Sequence, residues 1–301
     1  MKFLLFGKDG QVGEALQRAL PTAGEVVALG RAEADFERPG ELPRLIAIHA
    51  PDVIVNAAAY TAVDKAETDA NRARLVNAEA VATLASAAHR LGAWLIHYST
   101  DYVFDGTKPG PYLETDEASP LSVYGTTKHR GDLAIAASGC RHLIFRVSWV
   151  YATGHANFGK TILRLARERS TISVVDDQVG APTSAELIAN VTVAAINRLA
   201  SLGSDAENLS GLYHLAPEGS LSRYEYARFV VEEARSAGMA MALTPDGVMP
   251  IHSAEYATAA RRPLNSRLAT NKLRAAFGVP LPPWQEDVRR WVAATAERGL
   301  D

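Results

Sequence analysis

The chain has 301 residues, of which 48% are hydrophobic and 22% charged, with a formal net charge of −3. This composition excludes a disordered chain and fits one large core, or a large core with a smaller lobe. The small net charge gives no electrostatic reason to expect nucleic acid or an anionic membrane as a partner. The single cysteine, Cys140, cannot form an intramolecular disulfide, and we find neither a signal-peptide core nor an apolar run of about 18 residues, so we expect a cytoplasmic protein.

The N-terminus predicts a buried strand over residues 2–6 that runs into a glycine-rich turn. Gly7, Gly10 and Gly13 are spaced G-x-x-G-x-x-G, and an apolar-periodic helix follows. Glycine permits a tight turn and close backbone approach, and the first N–H groups of a helix point at an anion. An isolated glycine triplet is often a plain loop, but its place after the first strand favours a phosphate seat for a dinucleotide.

Strand-like and helical patterns alternate along the rest of the first half. Strands are predicted over residues 25–29, 52–56, 93–98 and 142–147, and helices over residues 41–49, in a long stretch ending near residue 91, and around Tyr124. Near-continuous apolar strands indicate a parallel sheet covered by helices on both faces. We therefore predict an α/β fold, a Rossmann-like doubly wound parallel sheet over residues 1–150. A smaller C-terminal substrate-binding lobe is predicted over residues 151–301, from which later segments can return to the sheet.

Four separated segments are expected to meet at one crevice. In doubly wound folds, ligands bind at the carboxyl ends of the strands. Gly7, Ala59, the pair Ser99-Thr100 and the pair Ser148-Trp149 all fall at such ends.

Tyr124 and Lys128 are four residues apart and follow the Ser99-Thr100 pair. Helix positions i and i+4 lie about 6 Å apart, so the Lys128 ammonium is expected beneath the Tyr124 phenol, where it lowers the phenol's pKa. A phenol with an ordinary pKa of about 10 then becomes a usable acid or base near neutrality. On most helices such a pair is a packed ring beside a solvated charge, but the neighbouring motifs favour catalysis.

Six segments in a fixed order carry a resemblance that spans essentially the whole chain: residues 7–13, residues 56–67, residues 99–104, Tyr124 with Lys128, residues 146–151 and residues 261–266. Together they resemble the dTDP-4-dehydrorhamnose reductase family of extended short-chain dehydrogenases/reductases. The resemblance implies a nucleotide-sugar substrate. It also implies that a nicotinamide cofactor reduces the C4 ketone of dTDP-4-dehydro-6-deoxy-L-mannose to dTDP-L-rhamnose, the last step of dTDP-rhamnose synthesis.

The resemblance also implies a role for each matching position. Tyr124 donates the proton to the developing alkoxide, Lys128 lowers its pKa and holds the nicotinamide ribose, and Thr100 hydrogen-bonds the reacting oxygen. The residues expected at the cofactor are Gly7, Gly10, Gln11, Val12 and Gly13 at the pyrophosphate, Asp35 and Phe36 at the adenine, and Ala59, Tyr60, Thr61 and Tyr98 along its length. The residues expected at the substrate are Thr100, Asp101, Phe104 and Trp149, with Asn157, Arg262 and Asn265 able to reach the diphosphate.

Arg31 predicts the cofactor preference. In dinucleotide folds an acidic residue at the end of the second strand binds the ribose hydroxyl of NAD, whereas an arginine accommodates the 2′-phosphate of NADP. Gly30 stands where that acid is expected and Arg31 follows it. We therefore expect NADPH, with NADH as an accepted alternative, because Asp35 is near enough to reach a ribose hydroxyl.

Metal and oligomeric state stay open. Some members of this family form dimers around a magnesium ion held by glutamates, one of them expected at position 15, which is alanine here. Glu14 points about 100° away around the helix, and Glu186 alone is a poor site for a cation that requires several oxygens. We assign no metal ligand and expect a monomer or a homodimer.

Two other functions fit parts of the pattern. The fold also hosts nucleotide-sugar epimerases, other 4-ketoreductases and 4,6-dehydratases, but dehydratases place a glutamate after the aspartate, where this chain has Tyr102. A non-catalytic, NADP-binding regulatory subunit is the other alternative, and intact Tyr124, Lys128 and Thr100 argue against it.

Overall fold

The computed structural model describes residues 1–299. Its strands are β1 (Lys2–Phe6), β2 (Glu25–Leu29), β3 (Val53–Asn56), β4 (Trp94–Thr100), β5 (His142–Val147), β6 (Val150–Tyr151), β7 (Ile172–Val175), β8 (Val179–Gly180), β9 (Thr183–Ser184), β10 (Gly211–Leu215), β11 (Leu221–Ser222) and β12 (Val248–Ile251). Its α-helices are α1 (Gln11–Ala19), α2 (Leu42–His49), α3 (Val63–Ala66), α4 (Ala70–Arg74), α5 (Ala80–Leu91), α6 (Val123–Ala137), α7 (Phe158–Glu168), α8 (Ala185–Leu202), α9 (Arg223–Ser236), α10 (Asn271–Phe277) and α11 (Trp284–Arg298). A π-helical turn, Leu75–Glu79, joins α4 to α5.

A six-stranded sheet with the order β10-β5-β4-β3-β1-β2 forms the centre of the fold. All of its pairings are parallel. The strand order reverses at β1, which lies between β2 and β3, so a crevice opens beyond the carboxyl ends of β1 and β3. The Rossmann-like parallel sheet predicted from the sequence is confirmed.

Alternate residues of the central strands, as in β1, pack into two hydrophobic cores, one on each face of the sheet. Phe3 and Leu5 of β1 pack with Leu16 of α1 and Ile188 of α8 on one face. Leu4 and Phe6 pack with residues of α2 and α5 on the other face. Burial on both faces explains why these strands are continuously apolar.

A separate apolar core lies in the C-terminal half. It joins α7, α9 and α11 with the parallel pair β7 and β12, through residues such as Leu163, Val230 and Val288. The C-terminal half is nevertheless divided, because β10 pairs with β5 in the main sheet and α8 packs on that sheet.

The structure adjusts several predicted elements. Residues 52–56 and 93–98 become β3 and β4 with bounds shifted by one or two residues, and the long helical stretch before residue 91 is broken into α3, α4, the π turn and α5. Contrary to the sequence expectation, one stretch, Ala185–Leu209, is long and apolar enough to span a membrane, with a mean hydropathy of 1.2. Packing of α8 against the central sheet accounts for this apolar composition.

Candidate active site

The glycine-rich turn forms a close-packed cradle at the end of β1. Gly7 has a φ of +82°, and a Cβ at Gly13 would lie 1.9 Å from the Gly7 carbonyl oxygen. Gly10 is the N-cap of α1 and supplies no side-chain cap, and Gly10, Gln11 and Val12 line the crevice. The cradle therefore fits a pyrophosphate, because Gly7 and Gly13 leave no space for side chains at their positions and the turn presents the N-terminus of a helix.

A compartment of about 440 Å³ extends from this turn past the end of β2. Its lining includes Gly7, Gly10, Arg31, Asp35, Phe36, Ala59, Tyr60 and Thr61, all of which were predicted to contact the cofactor. The Glu37 carboxylate accepts hydrogen bonds from Arg31 and from Arg72 Nε, the latter at 2.7 Å. The pairing of Arg31 with Glu37 was not foreseen from the sequence.

Asn77, on the π turn, fixes the loop that follows β3. Its Oδ1 accepts from the Tyr60 N–H at 2.9 Å, and its Nδ2 donates to the Tyr60 carbonyl at 3.0 Å and to Thr127 Oγ1 at 3.2 Å. One buried amide therefore joins the cofactor loop to α6, the helix that carries Tyr124. A π turn often marks such a functional position.

Tyr124 and Thr100 line a second compartment of about 610 Å³ that adjoins the glycine-rich turn. Ser122 caps α6 by accepting from the Gly125 N–H at 3.1 Å, and so fixes the first turn that holds Tyr124. Burial raises the pKa of Tyr124 above its usual range, and the Thr100 hydroxyl partly opposes this rise. The pKa of Tyr124 is therefore raised in this structure, whereas the sequence argument predicted that Lys128 would lower it.

Burial outweighs any effect of Lys128 on the Tyr124 pKa, and the contacts of Lys128 are with β4. Its Nζ donates to the Tyr98 carbonyl oxygen at 2.7 Å and lies 3.2 Å from His97 Nε2. Burial lowers the pKa of Lys128 to about 8, which the Asp132 carboxylate partly opposes. The ammonium of Lys128 is thus held near the end of β4 by the Tyr98 carbonyl and His97.

His97 is held on its other side by Asn56. Asn56 Nδ2 lies 3.0 Å from His97 Nδ1, and Asn56 Oδ1 accepts from the Ala58 N–H at 3.1 Å. Burial, followed by the charge of Lys128, keeps the pKa of His97 well below its ordinary value, so the ring is neutral. A buried polar chain thus connects the cofactor loop after β3 to Lys128.

A buried carboxylate, Asp132 of the helix that carries Tyr124, is ion-paired with Arg146 of β5 and hydrogen-bonded to Ser99 of β4, the strand that carries Thr100. Asp132 Oδ2 accepts from Ser99 Oγ at 2.8 Å and from Arg146 Nε at 3.2 Å. The side chains of Arg146 and Asp132 are only 5% and 4% exposed. Because such charges are costly to separate, the pair fixes β4, β5 and α6 relative to one another.

Asp101, Trp149 and Asn157 also line the Tyr124 compartment, as predicted for substrate contacts. Burial raises the pKa of Asp101 to about 6, against hydrogen bonds from Ser266 and Thr100. Trp149 has a φ of +47°, which is rare for a bulky residue and marks local strain. The amide of Asn157 is used within its own loop, since it caps α7 and donates to the Ala152 carbonyl at 2.8 Å.

The structure does not bring Phe104, Arg262 and Asn265 into the lining of this compartment. Phe104 is 1% exposed and stacks on Tyr112 with 4.1 Å between ring centroids. Asn265 Nδ2 donates to the carbonyls of Lys108 and Gly110. Arg262 donates to Asp64 at 2.7 Å. Tyr98, expected along the cofactor, does line this compartment, and its hydroxyl is hydrogen-bonded to Thr192 at 2.9 Å.

The acidic residues considered as metal ligands are engaged elsewhere. Glu14 lies 3.1 Å from His155, and Glu186 accepts from Arg18 at 3.0 Å. Ala15 is buried. Within residues 1–299, no group of three or more His, Cys, Asp or Glu side chains is placed to hold a metal ion.

Sequence reasoning missed Arg223, which lines the Tyr124 compartment from the start of α9. It also missed Tyr102, whose ring meets the Tyr124 ring edge-on with centroids 5.5 Å apart. The position of Tyr102 next to the Thr100-Asp101 pair was an available signal. Arg223 had no such signal, because only the fold brings it near Trp149.

Comparison with known proteins shows a similarity along the whole chain. The family model described as RmlD substrate binding domain matches residues 1–297. The dTDP-4-dehydrorhamnose reductase of Shigella flexneri is 49% identical over 294 residues, which cover 96% of each chain. The crystal structure of a dTDP-4-dehydrorhamnose reductase from Clostridium acetobutylicum has a TM-score of 0.88 at 32% identity, over 98% of this chain and 99% of that one. The dTDP-4-dehydrorhamnose reductase of Bacillus anthracis, solved in complex with NADP, has a TM-score of 0.86 at 32% identity, over 98% and 99% of the two chains.

Proposed function

The chain belongs to the RmlD substrate binding domain family, and from this membership and the site geometry we propose that it is an NAD(P)H-dependent dTDP-4-dehydrorhamnose reductase. It reduces the C4 ketone of dTDP-4-dehydro-6-deoxy-L-mannose to give dTDP-L-rhamnose. One observation carries the proposal: Thr100, Tyr124 and Lys128 line a cleft that begins at the glycine-rich turn. The reaction requires a phosphate seat, a proton donor and a place for the ketone, and this cleft provides all three.

The residues present fit a nicotinamide dinucleotide. The turn from Gly7 to Gly13 would hold the pyrophosphate, and the compartment with Asp35, Phe36 and Tyr60 would hold the adenosine. When bound in its reduced form, the cofactor supplies the hydride that adds to the C4 carbon. Lys128 supports the nicotinamide ribose from the end of β4.

Tyr124 provides the proton. Because burial raises its pKa, the phenol keeps its proton at neutral pH and can release it to an alkoxide, which is far more basic than a ketone oxygen. Thr100, whose hydroxyl donates to Asp101 Oδ1 at 3.1 Å, orients the reacting oxygen beside the phenol. The ion pair of Asp132 and Arg146 helps to fix the positions of the Tyr124 and Thr100 hydroxyls relative to each other.

Lys128 acts through its position and its charge. Its contacts with Tyr98 and His97 fix the ammonium beside the carboxyl end of β4. The developing negative charge on the substrate oxygen is stabilised by a nearby cation, and a buried site strengthens that interaction. His97 is a positioning residue, because it contacts Lys128 and not the reacting atoms.

A preference for NADPH follows from the adenosine compartment. Gly30 brings no ribose-binding carboxylate to the end of β2, and the space beside it is occupied by the Asp9 side chain, whose Oδ2 would lie 2.0 Å from a Cβ at Gly30. Arg31 and Arg72 converge on Glu37, and the Arg31 side chain is 66% exposed. A 2′-phosphate would meet the Arg31 guanidinium with charge-assisted hydrogen bonds.

The C-terminal core of α7, α9 and α11 forms the substrate-binding lobe in this proposal. Trp149, Asn157 and Arg223 contribute its side of the cleft. We expect the protein to act in the cytoplasm as a monomer or homodimer, on a nucleotide sugar, without nucleic acid or membrane as a partner.

Isotope transfer tests the proposed reaction. The enzyme is incubated with dTDP-4-dehydro-L-rhamnose and NADPH carrying deuterium at both hydrogen positions of the nicotinamide C4, and the product is analysed by mass spectrometry and NMR. Direct ketone reduction places deuterium on the sugar C4. A product without deuterium, or conversion without net consumption of NADPH, would indicate an epimerase or dehydratase and would refute the proposal.

A further inference from the structure

Arg223 is a cation of the catalytic cleft that the proposed mechanism leaves unused. Its guanidinium lies over the indole of Trp149, 3.7 Å from the ring centroid, and over Phe158 at 4.8 Å. Within residues 1–299, the group forms no side-chain hydrogen bond, and the carboxyl of Asp101 acts on it only through its charge. Arg223 is partly exposed and lines the cleft, so its five N–H donors face the space that a ligand would occupy. An acceptor for them is therefore expected to come from a ligand.

The aromatic rings beneath Arg223 are held in place by close packing with their neighbours. Trp149 holds a left-handed backbone, and a Cβ at Gly180 would lie 2.7 Å from the Trp149 indole, so glycine there makes room for the ring. Tyr226 stacks on both Trp149 and Phe158, with centroids 6.5 Å and 5.6 Å away. A guanidinium stacked on such rings keeps its in-plane N–H groups for a planar pair of acceptors.

The charges around the cleft indicate what that acceptor is. Besides Arg223, the basic side chains that line the compartment are Lys128, which donates to the Tyr98 carbonyl near the end of β4, and His155, which lies 3.1 Å from Glu14. Arg262 lies close enough to repel Arg223, although it is itself paired with Asp64. A guanidinium that lines the cleft without a hydrogen-bonded carboxylate, with a second guanidinium nearby, favours an anion with several oxygens. A neutral sugar or a base does not meet that requirement.

We infer that Arg223, stacked on Trp149 and Phe158, binds the diphosphate of the nucleotide-sugar substrate through paired N–H to oxygen hydrogen bonds. The inference rests on the proposed function for the identity of the nucleotide sugar. Arg223 is then the residue that recognises the diphosphate in the substrate half of the cleft. The glycine-rich turn serves the cofactor's own pyrophosphate at the other end.

Calorimetric titration with dTDP, inorganic pyrophosphate and thymidine tests this role without requiring turnover. With the glycine-rich turn occupied by saturating NADP⁺, Arg223→Gln is expected to weaken dTDP binding by about 10- to 100-fold, and to abolish detectable pyrophosphate binding. Arg223→Lys keeps the charge but loses the paired N–H donors of the guanidinium, so its affinity for dTDP should lie between those of wild type and Arg223→Gln. Thymidine and NADPH should bind all forms alike, and the unchanged NADPH affinity shows that the variants are folded.

Arg228→Gln is the matched control. Arg228 lies on the same helix, stacks on Tyr224 at 5.7 Å and pairs with Asp246 at the surface. Its loss should leave dTDP binding unchanged. In turnover, Arg223→Gln should raise KM for the sugar nucleotide while kcat changes little.

The outcomes separate the inference from the proposed function. If the enzyme reduces the sugar nucleotide but Arg223→Gln binds dTDP within about twofold of wild type, the inference is wrong and the function stands. Equal weakening of thymidine binding would place Arg223 at the base and would also overturn the inference. If the wild type binds dTDP through Arg223 but reduces no sugar nucleotide, the proposed reductase activity is wrong, whereas the inference that Arg223 binds the diphosphate is kept.

Discussion

Replacing Tyr124 with phenylalanine removes the proposed proton donor and keeps its ring. The ring meets Tyr102 edge-on at 5.5 Å, a contact that phenylalanine preserves. Only the hydroxyl near Thr100 is lost, so we expect the free energy of unfolding to change by less than about 1.5 kcal/mol. The affinity for the cofactor should stay nearly unchanged.

The surrounding groups set the size of the kinetic effect. Thr100 donates its hydroxyl proton to Asp101 at 3.1 Å, and Lys128 is held by Tyr98 and His97, so neither group can readily replace the phenol. We therefore expect the full contribution of general acid catalysis, a loss of about 10²- to 10⁴-fold in the reduction rate. This loss corresponds to about 3–5 kcal/mol of barrier height.

Single-turnover reduction, with enzyme and cofactor in excess over the ketosugar, isolates this step from product release. Tyr112→Phe is the control, because the Tyr112 hydroxyl donates to Asp105 at 2.7 Å outside the cleft and its loss should not slow reduction. A loss below about tenfold in Tyr124→Phe would show that another group donates the proton.

Three further perturbations probe the same site. Lys128→Ala should weaken both cofactor binding, measured by fluorescence titration, and kcat, because one ammonium serves both. Arg31→Ala should lower the ratio of kcat/KM for NADPH to that for NADH by about tenfold or more. Burial raises the pKa of Asp101 to about 6, above its unfolded value of about 3.9, so its contribution to stability is present at low pH and is lost as pH rises through 6. Asp101→Asn should therefore gain about 3 kcal/mol relative to wild type between about pH 4 and pH 8, measured by urea unfolding.

Each of these perturbations has an outcome that contradicts it. An unchanged cofactor dissociation constant in Lys128→Ala would remove the lysine from the ribose. If the wild type prefers NADH, or if Arg31→Ala leaves the ratio of kcat/KM for NADPH to that for NADH unchanged, the assignment of NADPH is wrong. A stability difference between Asp101→Asn and wild type that is flat with pH would show that Asp101 titrates normally.

Local patterns predicted most of the sheet and the core of the site. The strands around Gly7 and Thr100 are continuous apolar runs, and the spacing of Tyr124 and Lys128 is a property of one helix. Such signals lie within a few residues of each other and need no knowledge of distant contacts.

Long-range contacts decided the rest. The pKa of Tyr124 is raised by burial, and Lys128 contacts His97, which lies 31 residues earlier in the chain. The spacing of two residues on one helix could predict neither. Asn265 was predicted to reach the substrate diphosphate, but its side chain donates to the backbone carbonyls of Lys108 and Gly110. Arg223 joins the cleft only because α9 packs beside Trp149.

The reaction of the wild-type protein with enzymatically generated dTDP-4-dehydro-L-rhamnose and NADPH tests the central claim most directly. We predict that one NADPH is oxidised for each dTDP-L-rhamnose formed, with the product identified by chromatography and NMR. A folded protein that binds NADPH yet consumes none with this substrate would contradict the claim, and would favour a regulatory, non-catalytic role.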